Sequence, residues 1–191
     1  MLRSMRRLVL SSIVFFFVTA AATAGEDLTV LVYDYAAIPA PTLAQAEVEA
    51  AKIFGAGHIR LTWVECPLLG KEGNGLRQST APQRLNAVLK ILPENRAERL
   101  HRPWRELGFT IPGTSFIFFD RVRAASPFLP VSVVLAYAMA HELGHILGLH
   151  HSVGIMSENF SRAWLLRGEH GIFGFTGRQL NEMEDALIAA R

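Results

Sequence analysis

Apolar and polar positions along the chain predict alternating strands and helices. Residues 28–34, Leu-Thr-Val-Leu-Val-Tyr-Asp, form a nearly continuous apolar and β-branched run, as expected of a strand covered on both faces. Next, Ala44, Val48, Ala51 and Phe54 recur at helical spacing behind a Thr42-Leu43-Ala44-Gln45 capping box, and Gly55 and Gly57 end the predicted helix. Residues 58–64 alternate as a second strand, and strand, helix and strand in that order predict a crossover to a parallel neighbour. Residues 67–83, rich in Gly, Ser, Pro and Gln, read as a surface loop, and 86–92 as a third strand. The charged stretch 93–105 predicts a short helix or irregular excursion, and 115–122 the strongest late strand. Pro130-Val131-Ser132 then opens a long helix, with Ser132 as its N-cap and residues 133–140 buried against the sheet. Towards the end, 160–167 read as a short helix. A second capping box, Thr176-Gly177-Arg178-Gln179, precedes Leu180, Met183 and Leu187 on one helical face.

The first 24 residues stand apart from this pattern. Arg3, Arg6 and Arg7 precede an apolar run at 8–18, and Ala22-Thr23-Ala24 supplies small residues before Gly25. That run is short for a transmembrane helix, and the whole segment reads as a secretory signal peptide. Residues 25–191 are then expected to form a single domain, extracytoplasmic (secreted or periplasmic), monomeric and without a stable membrane anchor. The apparent basic balance belongs to the leader: three of the 19 Lys and Arg residues lie there and none of the 17 Asp and Glu, so the remainder is slightly acidic. Nothing in this charge favours nucleic acid as a partner. Cys66 is the only cysteine, which excludes an intramolecular disulfide and leaves packing and metal to stabilise the domain.

The chemistry is concentrated in His141-Glu142-Leu143-Gly144-His145-Ile146-Leu147-Gly148-Leu149-His150-His151. Residues four apart share a helix face, so His141 and His145 can offer two imidazole nitrogens to one metal ion. Glu142 sits about 100° round the helix, within reach of a metal-bound water without being a ligand, where a general base belongs. Gly148 accepts the left-handed conformation that turns the chain, and His151 lies three residues beyond it. His150 is the rival for the third ligand, with the Gly-x-x-His offset selecting His151. The same histidine set, with a fourth position open, favours zinc.

These residues fit HExxHxxGxxH in each fixed place, and Gly154-Ile155-Met156 follows, so the chain resembles the metzincin zinc proteases over residues 131–160. The resemblance implies zinc ligands at His141, His145 and His151, Glu142 as base, and Met156 beneath the metal. It also implies a metzincin-like α+β or α/β zincin fold: a twisted, mostly parallel sheet, a backing helix, the active-site helix and a small C-terminal helical subdomain. In such folds an edge strand before the active-site helix pairs with extended substrate, a role open to 115–122 or its neighbour, with a central core strand as the equal alternative for 115–122. Two departures stand out: the link from His151 to Met156 is short, and no tyrosine follows Met156. The expected function is a secreted zinc-dependent endopeptidase acting on peptide or protein substrates. The alternative is a secreted zinc-binding module without peptidase activity. Tyr137 is expected in the core. His58, His101 and His170 are expected to be structural or surface histidines, and Cys66 a buried or dimer-forming thiol rather than a latency switch.

Overall fold

The structure, a computed structural model, describes residues 25–68, 86–158 and 174–190. The leader, most of the 67–83 loop, the 160–167 helix and His170 therefore lie outside the described residues. The described chain runs β1 (Asp27–Asp34), α1 (Ala40–Gly55), β2 (Arg60–Glu65), β3 (Asn86–Leu92), α2 (Glu94–Arg99), β4 (Gly108–Ile111), β5 (Thr114–Phe118), α3 (Phe119–Ala124) and α4 (Val131–Ile146). A 3₁₀ turn at Gly154–Met156 and α5 (Gly177–Ala189) complete it.

The five strands form one mixed α/β sheet in the order β2-β1-β3-β5-β4. Parallel pairing joins the first four in that order, and β4 alone runs antiparallel, at the edge beside β5. The crossover predicted from β1 through α1 to β2 is present. Alternating side chains divide the sheet. Leu28, Val30, Val32, Ala87, Leu89, Ile91 and Ile117 join the main core, which α1 and α4 cover. On the opposite face Phe109, Phe116 and Phe118 pack with Leu92 and Ala97 of α2 in a smaller cluster. Among the described residues, no helix is long and apolar enough to cross a membrane.

Several expectations need correction. The helix at α1 begins at Ala40 with Pro39 as its N-cap and no side-chain cap, so the Thr42 capping box does not form. Prolines preorganise that first turn, two residues ahead of the threonine. Its buried face is Leu43, Ala46, Ala50 and Phe54, while Val48 is 49% exposed. In an alanine-rich helix both stripes have the correct period, and the bulkier Leu43 decides which one is buried. Residues 115–122 are not a single strand: β5 ends at Phe118 and α3 takes over, turning Arg121 back towards α2. Pro130, not Ser132, caps α4, and Ser132 is buried within the helix. Finally, β4 was not expected at all; it takes the edge, and of the two roles open to 115–122 its strand part, β5, has the inner one.

One carboxylate is poorly housed in this frame. Glu47 Oε1 is buried and finds no hydrogen-bond partner among the described residues. Burial first, and the charge of Glu65 second, push the Glu47 carboxyl up to about 7. Its folded pKa lies above its unfolded value, so any stability it contributes is present below that unfolded value and is lost as pH rises through about 7. Glu47→Gln is accordingly expected to raise the melting temperature at pH 8.5, a value on the order of one and a half units above that pKa, and to leave it nearly unchanged in mild acid. Thermal unfolding scans at both pH values check this; an equal shift at both would assign the effect to packing instead.

Candidate metal centre

Helix α4 is apolar nearly all round and is buried from Val134 to Gly144, which is why it runs through the core and delivers its last turn to the surface. Its C-terminus closes as a Schellman motif. The Leu149 amide donates to Gly144 O at 3.0 Å and the Gly148 amide to His145 O at 3.1 Å, with Gly148 at φ +87°. The turn expected at Gly148 is thus present, and it sends the chain back beneath the helix.

The result is a cluster of His141, His145 and His151 whose potential ligand atoms all lie within 4.8 Å of one another. His150 lines the same cleft but does not join this group. The two helical imidazoles are aimed from behind: His141 Nδ1 lies 2.8 Å from Ile155 O, and His145 Nδ1 lies 2.7 Å from Leu149 O. A carbonyl only accepts, so each Nδ1 carries the hydrogen and each Nε2 of the neutral ring carries a lone pair. Those two Nε2 atoms stand 3.1 Å apart. Facing lone pairs repel unless a cation lies between them. Nitrogens at roughly 2.0–2.1 Å from a tetrahedral ion are about 3.3 Å apart, so the spacing fits a shared metal. Burial is the main cause that holds His141 down at about 4, and it lowers His145 as well, so both rings are neutral and ready to coordinate.

Glu142 is buried beside this cluster. Burial pushes its carboxyl up to about 7, against the opposing hydrogen bond from Thr110. Thr110 Oγ1 lies 2.7 Å from Glu142 Oε2, and it comes from β4, the strand that sequence reading missed. The missed signal was Phe109-Thr110-Ile111-Pro112-Gly113-Thr114-Ser115-Phe116, two β-rich runs flanking a Pro-Gly turn with Gly113 at φ +75°. Gly108, at the start of β4, is required by contact: a Cβ there would stand 2.5 Å from Phe116 O and 2.9 Å from Glu142 Oε1. Together β4, the end of α4 and the histidine turn enclose a cleft of about 630 Å³, rimmed by Arg102, Arg105 and Glu158.

The short link from His151 to Met156 is also accounted for. Met156 is fully buried, and a Cβ on Gly144 would come within 2.7 Å of its Sδ, so the methionine packs against the helix at Gly144, next to His145 in sequence. The Ser152 amide donates to Met156 O at 2.8 Å. From α5, Gln179 Nε2 donates to Ser152 Oγ at 2.9 Å and Val153 O at 3.1 Å, while its Oε1 accepts from the Thr176 amide at 2.7 Å. The capping box expected at Thr176 forms, and the same glutamine ties down the link. Gln179→Ala should therefore weaken metal binding by about 10–100-fold, the usual effect of losing an outer support of a metal ligand. Competition with a chelator measures this, and an unchanged affinity would make Gln179 a helix cap only.

The remaining candidates fall elsewhere. His58 and His101 occupy left-handed positions at φ 59° and 50° outside the cluster, and Tyr137 is in the core as expected. Cys66 follows β2, half-buried, with its thiol 3.6 Å from Val64 O and outside the metal group.

No protein-family model and no curated protein matches the chain. Among solved structures it is similar to the crystal structure of archaemetzincin from Methanopyrus kandleri, at 16% identity over 88% of this chain and 99% of that one, with a TM-score of 0.48. At that level of likeness the site has to be read from its own side chains.

Proposed function

We propose that this chain is a zinc-dependent endopeptidase, exported by its first 24 residues and acting on extended peptide segments. The observation that carries the reading is the three-histidine cluster with a buried carboxyl beside it, both opening into a cleft walled by an edge strand. A zinc ion held by His141, His145 and His151 would supply Lewis acidity, polarising a carbonyl and making water acidic enough to be deprotonated near neutral pH.

The chain's own residues account for the rest. Glu142 takes the proton from the attacking water as the new C–O bond forms, and passes it to the amine as the C–N bond breaks. Mere metal binding requires no carboxyl at that position. Burial excludes solvent from Glu142, and Thr110 holds one of its oxygens. Among the described residues β4 is the last strand of the sheet, and its outer edge would offer backbone donors and acceptors to an extended substrate segment. A purified chain with about one zinc should cleave an unfolded protein substrate and lose that activity on chelation, regaining it with zinc. Zinc bound without cleavage would instead leave a metal-binding module.

A further inference from the structure

The strand that walls the cleft also touches the base. Gly108 and Thr110 are two residues apart on β4, so they point to the same face of the sheet, and that face meets α4 at Glu142. Thr110 pairs across the hairpin with Ser115 of β5, and their hydroxyl oxygens are 2.8 Å apart. Both also reach the main-chain carbonyl of Glu142, at 3.1 Å each.

We propose that Thr110, oriented by Ser115, is a positioning residue that sets the direction of the Glu142 carboxyl. The proposal rests on the reading of Glu142 as the base.

Hydrogen counting supports it. A hydroxyl has one hydrogen to donate, and an ionised carboxylate can only accept. In the carboxylate form, the one that acts as base, the 2.7 Å contact with Oε2 therefore takes the Thr110 hydrogen. Ser115 then has an acceptor in the lone pair of Thr110 or in Glu142 O. Short hydrogen bonds to an ionised acceptor are the stronger kind, so this one can hold a carboxyl plane. The other oxygen is accommodated rather than held. It lies over Gly108, where even a methyl group would stand 2.9 Å from Oε1 and 3.0 Å from Cγ. One oxygen is thus held by a donor, the other occupies room that only glycine at 108 leaves, and both features belong to β4. A substrate strand pairing with β4 would meet a base already oriented by the strand it pairs with.

The test compares Thr110→Val, which keeps the β-branched shape and removes the hydroxyl, with Thr110→Ser, which keeps the hydroxyl. For the zinc-loaded protein, Thr110→Val should lower kcat by roughly 10–100-fold, as expected when a catalytic group is misplaced by about an ångström. KM and zinc affinity should stay within about twofold, and Thr110→Ser should restore most of kcat. Ser115→Ala should act in the same direction with a smaller effect, and it stands in if Thr110→Val does not fold. Equal kcat in Thr110→Val and wild type would overturn the proposal, as would failure of Thr110→Ser to restore the rate. Crystal structures of wild type and variant give a readout independent of turnover: the Glu142 carboxyl should be rotated in Thr110→Val and in place in Thr110→Ser. A wild type that cleaves nothing would sink the peptidase reading, while an unrotated carboxyl in Thr110→Val would sink this one.

Discussion

Glu142→Gln is expected to lower peptide cleavage by about 10²–10⁴-fold, the range typical of removing a general acid–base group, and to leave zinc content at the wild-type level. The substitution keeps the size of the side chain and one acceptor oxygen but removes its ability to take a proton. Glu142 is not part of the histidine group, so metal binding has no reason to fall. The pH dependence follows from the same burial. The carboxyl is pushed up to about 7 in the metal-free chain, and a divalent cation beside it acts in the opposite direction. Because the base form is the carboxylate, cleavage should fall as pH drops through the Glu142 pKa. That acid limb should lie at or below about 7 in the zinc-loaded protein. Steady-state rates between pH 5 and 9, a span of roughly two units either side of that value, are enough to see it. A glutamine variant within about fivefold of wild type would remove Glu142 from the chemistry.

The largest effect on stability is expected at Arg121. This guanidinium is only 8% exposed, yet it sits at a junction of α3, α2 and the segment leading to the cleft. It meets Glu94 with Nε at 3.0 Å and Nη2 at 2.9 Å. Its Nη1 donates to Pro103 O at 2.6 Å and Glu106 O at 3.2 Å, and the group lies 4.4 Å over the Phe118 ring. Removing one partner of a buried ion pair costs about 3–5 kcal/mol. Glu94 is 35% exposed and can recover some hydration, which places Arg121→Ala near the lower end, about 3 kcal/mol. Denaturant unfolding measures the loss. Because the carbonyls of residues 103 and 106 lose their donor, hydrogen exchange should also quicken around Arg102 and Glu106 at the cleft rim. A loss under about 1 kcal/mol would mean that other contacts hold that segment.

The contrast between α4 and β4 shows why the histidines were legible in the sequence and their support was not. His141, His145, Gly148 and His151 belong to a local motif whose geometry follows from helical period and one glycine turn. Packing had only to bury α4, and its apolar length announces that. By contrast β4 is four residues long, and its importance lies in contacts made 32 positions away in sequence, where Thr110 meets Glu142. Neither residue type signals that pairing. Gln179 is intermediate: its capping box is local and was predicted, whereas its hold on Ser152 depends on how α5 docks. The boundary between β5 and α3 was missed because Phe119 and Val122 extend the apolar, β-prone run of β5. In the helix they form, Arg121 pairs with Glu94 of α2, a long-range contact that no local pattern announces.

X-ray absorption at the zinc edge of the purified chain reads the ligands of the metal themselves. The expected spectrum has a shell of three imidazole nitrogens at about 2.0–2.1 Å with one or two further light atoms and no sulfur, falling to two imidazoles in His151→Ala. A sulfur shell at about 2.3 Å, or an unchanged imidazole count in that variant, would contradict a centre built from His141, His145 and His151.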